Sequence, residues 1–414
     1  MPQMNPGDLY CKEAILRSDG KIPHILIIGG GVSGLTTAWA LRKSGCKVTV
    51  IAKQYAPTQP GKEKIISEMA GGLWEWAPSV YGSSKEHLND YENYKRWCQP
   101  SYVQFEKLHG KFGADVTGVR SRMSCFLFDK KIENIDESAK LKMLEIKEHC
   151  DGFYRGVEHL VEKYRINTNE DKLYNFKDGY EYFSYVIDPK KYLKWLRKHV
   201  QKQGVRLLKF EVVGNLLEEE ENLLDMFQAD VIVNCSGLAS IDLCQDKQLI
   251  PTRSILLHAK NDGVKFPIIK SCVSIYKYDN GISPKSEASK CGDDRYMFMV
   301  PRNDKVVVVG GATELHNGEE AHSASEATDI IQKQIKRLYP QMQNAELLDY
   351  DYHIGVQKSR KHPRVGRDED SNKIFHNYGH GYSRYSLSYG CALDIRKAIR
   401  KHFAEFKVKS HSHL

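Results

Sequence analysis

Apolar residues cluster first at His24-Ile25-Leu26-Ile27-Ile28, which runs directly into Gly29-Gly30-Gly31-Val32-Ser33-Gly34. Leu35 to Lys43 follows with helical spacing, and Lys47-Val48-Thr49-Val50-Ile51 is again a β-rich run. Strand, glycine turn, helix, strand is the order of a right-handed βαβ unit in a parallel sheet, with helices on its faces. From Lys85 to Leu108 and from Ser138 to Tyr164, apolar residues recur at helical intervals with charges between, which predicts two cap helices. Asp188-Pro189 opens a further helix through Tyr192, Leu193, Leu196 and Val200, with Asp as the cap and Pro in the first turn. Arg206 to Val213 and Asp230 to Asn234 read as strands. Tyr296 to Val300 and Val306 to Val309 read as an antiparallel hairpin around a turn at Pro301 to Asp304. Ser325 to Tyr339 and Gly390 to Phe406 read as helices, so the pattern as a whole is α/β.

A chain of 414 residues suggests two domains or one composite one. With 41% hydrophobic and 28% charged residues, it is neither collagen, nor a disulfide miniprotein, nor wholly disordered. The net charge of +8 is spread along the chain, whereas a nucleic-acid binder concentrates Lys and Arg on one stripe; nucleic acid is therefore not an expected partner. Apolar stretches such as Val306 to Val309 are far shorter than the ~20 residues of a membrane span. The first residues carry Asp8, Lys12, Glu13 and Arg17 without an apolar core, so the expectation is cytosolic synthesis without a secretory signal. The cysteines include no Cys-x-x-Cys pair and no Cys/His spacing that fits zinc; reduced thiols and no metal are expected.

Gly29-x-Gly31-x-x-Gly34, between an apolar strand and a helix, is a phosphate-cradling turn: its glycines allow the tight bend and let a pyrophosphate reach the helix N-terminus. The Asp or Glu expected at the end of the second strand, to hold the ribose hydroxyls, is missing, because Ile51 is followed by Ala52, Lys53 and Gln54. Lys53 either favours an extra phosphate, as in NADP binding, or is solvated beside a ribose held by Thr58 and backbone. A second glycine turn, Gly379-His380-Gly381, feeds the C-terminal helix and would give a long cofactor a second helix dipole at its other end.

Ile27 to Leu35, Ala70-Gly71-Gly72-Leu73-Trp74, Asp230 to Leu238, Val308 to Ala312, and His376 to Gly381 through Gly390-Cys391-Ala392-Leu393 occur in the order found in the D-amino-acid oxidase family, which the chain resembles from about residue 24 to 400. The resemblance implies non-covalent FAD, bound by a Rossmann-like domain made of 1–85, 190–245 and 350–414, interwoven with an antiparallel-sheet substrate domain made of 86–189 and 246–349. It implies oxidative deamination of an amino acid, of D configuration in that family, or of a related amine, by hydride transfer from the α-carbon to flavin N5. Dioxygen then reoxidises the flavin and yields hydrogen peroxide. The residues implied at the cofactor are Gly29, Gly31, Val32, Ser33, Gly34, Lys53, Ser236 and Gly237, with Val212 or Val213 at the adenine. Gly71, Gly72 and Leu73 would meet the flavin ring, and the late loop adds Gly379, Gly381, Tyr382, Ser383, Arg384, Tyr385 and Ser386.

The sequence departs from the family where the substrate carboxylate is held. The family's Gly-apolar-Arg-Pro-x-Arg stretch aligns with Gly355-Val356-Gln357-Lys358-Ser359-Arg360, so Gln357 stands at the clamp position. Arg384, in a loop where the family keeps a small residue, and Arg360 are the candidate replacement cations, since a bidentate Arg is the usual carboxylate partner. A family tyrosine falls on Phe298 or, with a shift of two residues, Tyr296. Two other readings stay open: an FAD-dependent amine oxidase or dehydrogenase whose substrate has no carboxylate, and a flavoprotein without catalysis. Ser412-His413-Leu414 resembles a peroxisomal address, which implies a peroxisomal import receptor as partner. A homodimer is compatible with the sequence.

Overall fold

His24–Ile28 is buried along its whole length, as a strand covered on both faces by helices requires. It lies in a computed structural model that describes residues 14–57, 63–76, 87–168, 175–278, 296–315, 324–357 and 362–411. Numbered along the chain, the first sheet contains β1 (His24–Ile28), β2 (Lys47–Ala52), β6 (Arg206–Lys209), β7 (Val231–Asn234), β13 (Arg364–Arg367) and β14 (Ile374–Tyr378), in the order β13-β14-β7-β1-β2-β6. Every pairing is parallel except β13 with β14. The second sheet contains β3 (Val119–Phe128), β4 (Tyr154–Arg155), β5 (Asp178–Ile187), β8 (Ile250–Lys260), β9 (Cys272–Tyr276), β10 (Tyr296–Pro301), β11 (Val306–Leu315) and β12 (Leu347–Gln357). Its order is β12-β8-β11-β10-β9-β3-β5-β4, antiparallel throughout except β3 beside β9.

The helices are α1 (Val32–Lys43), α2 (His87–Phe112), α3 (Ala114–Thr117), α4 (Glu137–His149), α5 (Val157–Lys163), α6 (Pro189–Lys202), α7 (Glu220–Phe227), α8 (Ser240–Leu243), α9 (Ala324–Leu338) and α10 (Arg384–His411). α10 packs on both α1 and α2. The crossing with α2 is close enough that a Cβ on Gly390 would lie 2.2 Å from the carbonyl oxygen of Trp97. The Asp188 side chain accepts the Lys191 N–H and Pro189 takes the first turn of α6, as its sequence predicts.

Alternation along the second sheet gives it two different faces. Leu257, Val309, Met297, Met299 and Ile275 form one cluster with Ile331, Ile335 and Leu338 of α9. Phe126, Phe128, Tyr180, Tyr182 and Tyr276 join instead the large core that contains Ile25, Ile27, Val32 and Leu35. The two sheets therefore share one interior, and the candidate site lies at their junction.

Three expectations are corrected. Ser138 to Tyr164 is not one helix: α4 ends at His149, Gly152 takes φ +72°, and β4 precedes α5. The strand expected to reach Val213 stops at Lys209, and the last helix begins at Arg384 rather than Gly390. Residue 350, where a domain boundary is expected, lies inside β12, and α2 packs on α10.

Candidate active site

The glycine turn is built by close contacts that exclude side chains. Gly29 has φ +117°, and a Cβ there would stand 2.3 Å from the Cys235 carbonyl oxygen; on Gly34 it would stand 1.9 Å from the Gly29 carbonyl oxygen. These contacts bring the ends of β1 and β7 together under the start of α1. Gly31 is the N-cap of α1 and offers no capping side chain, which leaves the first N–H groups for a ligand or a neighbour. One neighbour is Ser67, whose Oγ accepts the Val32 N–H at 3.1 Å. Ser33, the next residue, faces His380, with Oγ 3.5 Å from Nδ1.

The late loop comes up against this turn, although the sequence places it at the opposite end of a long cofactor. Gly379 and Gly381 have φ +84° and +54°, values that glycine adopts without strain. They present His380, which is buried, and among the described residues its Nε2 has no hydrogen-bond partner. Burial, with the charge of Arg384 adding to it, pushes the His380 pKa down to about 4, so the ring is neutral at pH 7. A buried imidazole nitrogen without a partner, beside a helix N-terminus whose cap residue has no side chain and glycines whose Cβ positions are blocked, suits a bound dinucleotide that supplies the missing polar partner.

Arg384 begins α10 and is also buried. Its Nε donates to the Gly381 carbonyl at 3.0 Å and its Nη1 to the Ile66 carbonyl at 2.7 Å. Among the described residues no carboxylate bonds to it. Tyr385 is buried and donates from its hydroxyl to the Ser67 carbonyl at 2.6 Å, while Ser386 Oγ accepts the Glu75 N–H at 3.2 Å. Tyr382 is half exposed, and Ser383 closes the turn by donating its N–H to the His380 carbonyl at 3.1 Å. The short turn Ile66–Glu68, the glycine turn and the start of α10 thus meet in one place.

From there the segment 71–74 crosses to the second sheet. The Ile187 N–H donates to the Gly72 carbonyl at 2.7 Å and the Trp74 N–H to the Tyr185 carbonyl at 2.8 Å, so Leu73 bridges to Val186 like an added strand. Phe298 lies over the segment: a Cβ on Gly71 would be 2.8 Å from its ring, and one on Gly310 would be 2.5 Å from it. Val186, Cys272 and Val300 complete this small apolar cluster with Leu73 and Phe298. Arg302, at the end of the same hairpin, is buried and donates to the Ala70 carbonyl at 2.5 Å.

The remaining predicted residues fall as follows. Ser236 and Gly237 follow β7 beside Gly29, with Ser236 Oγ 2.9 Å from Ser240 Oγ. Lys53 is exposed and paired with Glu211 at 2.6 Å. Val212 packs inward while Val213 is exposed. Tyr296 pairs with Tyr276, and Gln357 ends β12 opposite Ile250; for both, only the backbone course is described. β12 packs against the turns Ile66–Glu68 and Gly381–Ser383, which brings that strand to the loop holding Arg384. Thr58, Arg360 and residues 412–414 lie outside the described residues.

Sequence reasoning missed Ser67, Arg302 and Glu75. Ser67 lies in a stretch given no role by the sequence, and Arg302 lies in the turn expected at Pro301 to Asp304. Glu75 follows the Gly-Gly-Leu-Trp motif directly, which was the available signal; its carboxylate is ion-paired to Lys142 and takes the Tyr276 hydroxyl at 3.0 Å. Among the described residues no helix is long and apolar enough to cross a membrane.

Comparison with known proteins agrees with this geometry. The family model for FAD-dependent oxidoreductases of the DAO type matches residues 24–397. A D-amino-acid oxidase of Rubrobacter xylanophilus is 26% identical over 90% of this chain and 94% of its own, and a D-amino acid oxidase of Dugesia ryukyuensis is 23% identical over 91% and 97%. Among solved structures, glycine oxidase from Bacillus cereus superposes with a TM-score of 0.63 at 18% identity, covering 92% of this chain and 95% of its own. Glycine oxidase from Geobacillus kaustophilus gives 0.64 at 16%, with the same coverage. The matched range takes in the glycine turn, the late glycine loop and the segment where Gly71 meets Phe298. The chain belongs to the DAO family of FAD-dependent oxidoreductases.

Proposed function

We propose that this protein is an oxidase of an amino acid or related amine, with D-amino acids as the first class to test. The reaction takes a hydride from the α-carbon and a proton from the amine, leaves an imino acid that water hydrolyses to a keto acid and ammonia, and passes both electrons to dioxygen to give hydrogen peroxide. FAD, when bound, supplies the hydride acceptor. The chain supplies orientation and exclusion of water. The observation that carries the reading is the junction at Gly71: a backbone stripped of side chains, faced by Phe298 and backed by Leu73, Val186 and Val300, lies beside the turns that suit the cofactor. Such a wall keeps water from the reacting carbon. Buried Arg384 supports an anionic group nearby, as a substrate carboxylate would be.

A second reading is favoured by Gln357, at the position where the resembling family has its clamp arginine. A neutral amide does not offset the desolvation of an anion as a guanidinium does, which suits an amine without a carboxylate. One experiment separates the readings. D- and L-amino acids and simple amines are added to the yellow protein without oxygen, and bleaching of the flavin band is followed; peroxide is then measured on admitting air. Bleaching by D-amino acids followed by peroxide supports the oxidase. Bleaching by amines alone supports the second reading, and bleaching by none overturns both. For its location we propose the peroxisome, on the strength of Ser412-His413-Leu414.

A further inference from the structure

A dinucleotide whose pyrophosphate lies at the N-terminus of α1 brings its adenosine ribose to the C-terminal end of β2, where an Asp or Glu ordinarily takes the ribose hydroxyls. In this chain β2 ends at Ala52 and the next residue is Lys53. The neighbouring strand supplies what is missing. β6 runs parallel to β2 with Lys209 opposite Ala52, and the Phe210 N–H continues the ladder to the Ala52 carbonyl at 3.0 Å. Glu211 is thereby carried to the same end of the sheet as the glycine turn, and its Oε1 meets Lys53 Nζ at 2.6 Å. Its other oxygen makes no bond among the described residues.

The two strand ends are held in register. The Tyr55 hydroxyl lies 2.8 Å from the Val50 carbonyl on β2 and 3.1 Å from the Leu208 carbonyl on β6. The Tyr55 ring occupies the space beside Gly30, where a Cβ would be 2.5 Å away, so this clasp abuts the phosphate turn itself. Beyond Glu211, Val212 packs into the interior, while Val213 is 74% exposed before Gly214 turns the chain at φ +93°. A carboxylate with one oxygen unengaged and an apolar side chain standing in solvent thus lie two residues apart at the place where an adenosine would come to rest.

We propose that Glu211, on β6, is the ribose carboxylate of this protein: it accepts the adenosine hydroxyls of FAD, Lys53 holds it in place, and Val213 covers a face of the adenine. The departure at Lys53 then becomes an exchange of position, with the acid moved one strand outward and a lysine left to orient it. The same pair disfavours a 2′-phosphate, because Glu211 both repels it and occupies the lysine that would bind it.

The test is a titration of apoprotein, prepared from holoenzyme by acid release of flavin, with FAD followed by flavin fluorescence. Glu211→Gln should raise the Kd for FAD about tenfold, the low end for a charge-assisted hydrogen bond. FMN, which reaches the protein with a phosphate but no adenosine, should bind wild type and variant alike. An FAD analogue lacking the adenosine 2′-hydroxyl should bind wild type several-fold more weakly than FAD, yet bind Glu211→Gln as FAD does. Glu63→Gln, at an acid that also acts on Lys53 through charge alone, should leave the Kd within about twofold. The proposal is overturned if Glu211→Gln keeps its FAD affinity, if FMN weakens in step with FAD, or if the 2′-deoxy analogue is discriminated equally by both proteins. Glu211 is half exposed, so the substitution spares the core, and FMN binding reports an intact phosphate turn.

Discussion

The guanidinium of Arg384 is anchored to the carbonyl of Ile66, Nη1 to O at 2.7 Å, across 318 residues of chain. The bond ties the first residue of α10 to the turn that also lends Ser67 to the N-terminus of α1. Carbonyl oxygens orient a guanidinium but do not neutralise it, and a buried cation needs an anion to offset its lost hydration.

Arg384→Met should therefore raise KM for a carboxylate substrate at least about tenfold, since a charge-assisted hydrogen bond contributes ~1.5 to 3 kcal/mol. Arg384→Lys should recover part of that loss by restoring charge without the fork. Steady-state kinetics on the three proteins, each checked for flavin content, decide it; equal KM values would remove Arg384 from the carboxylate site.

Gln357→Arg should create or improve oxidation of simple D-amino acids. The rate of anaerobic bleaching by D-alanine is the readout. No gain would mean that the end of β12 does not set the substrate class.

His380 contributes a pH dependence to stability. Burial, reinforced by Arg384, lowers its folded pKa to about 4 against 6.5 for the free side chain, so below pH 6.5 the unfolded chain binds a proton that the native chain refuses. Stability is lost as pH falls from 6.5 towards 4, with a slope of up to about 1.4 kcal/mol per pH unit from this residue. His380→Gln should flatten that limb in urea melts at pH 7, 6 and 5; an unchanged slope would show that the ring titrates normally.

Gly390→Ala should destabilise the whole fold. Its Cβ would meet the carbonyl oxygen and Cα of Trp97 at 2.2 and 2.3 Å, and backbone on backbone leaves no side chain to swing aside. Overpacking of this kind costs ~1 to 3 kcal/mol or more, visible as a lower Tm. An unchanged Tm would mean that α2 and α10 slide apart freely.

Removing Ser412-His413-Leu414 should leave a tagged protein diffuse in the cytosol, while the full chain is punctate and coincides with a peroxisomal marker. Puncta that survive the deletion would count against the address.

Much of the first sheet was legible because local chemistry dictates it: Gly29 and Gly34 admit no side chain, and Asp188-Pro189 caps a helix whatever surrounds it. The second sheet was less so. β3 and β5 mix polar and apolar residues because one face of the sheet meets the shared interior, where Ser124 and Ser184 are buried beside Tyr180 and Tyr182, so their alternation is blurred. Ser67 and Arg302 escaped notice because their roles are set by partners far along the chain, at Val32 and Ala70. Glu211 was hidden for the same reason: the acid was expected after β2, and only strand pairing shows that the end of β6 stands beside it.

The order β14-β7-β1-β2 has a consequence for how the molecule is made. The glycine turn leaves the ribosome early, but Cys235, which walls it, comes some two hundred residues later, and His380 and Arg384 later still. Contacts this distant close slowly, since the entropy of the intervening loop is lost before any bond compensates. A nascent chain that stops before Ile374 has its phosphate turn but no roof over it, and its β7 edge stands open to other chains. Synthesis of β14 and the last helix is thus the step that covers the β7 edge and brings His380 and Arg384 to the turn.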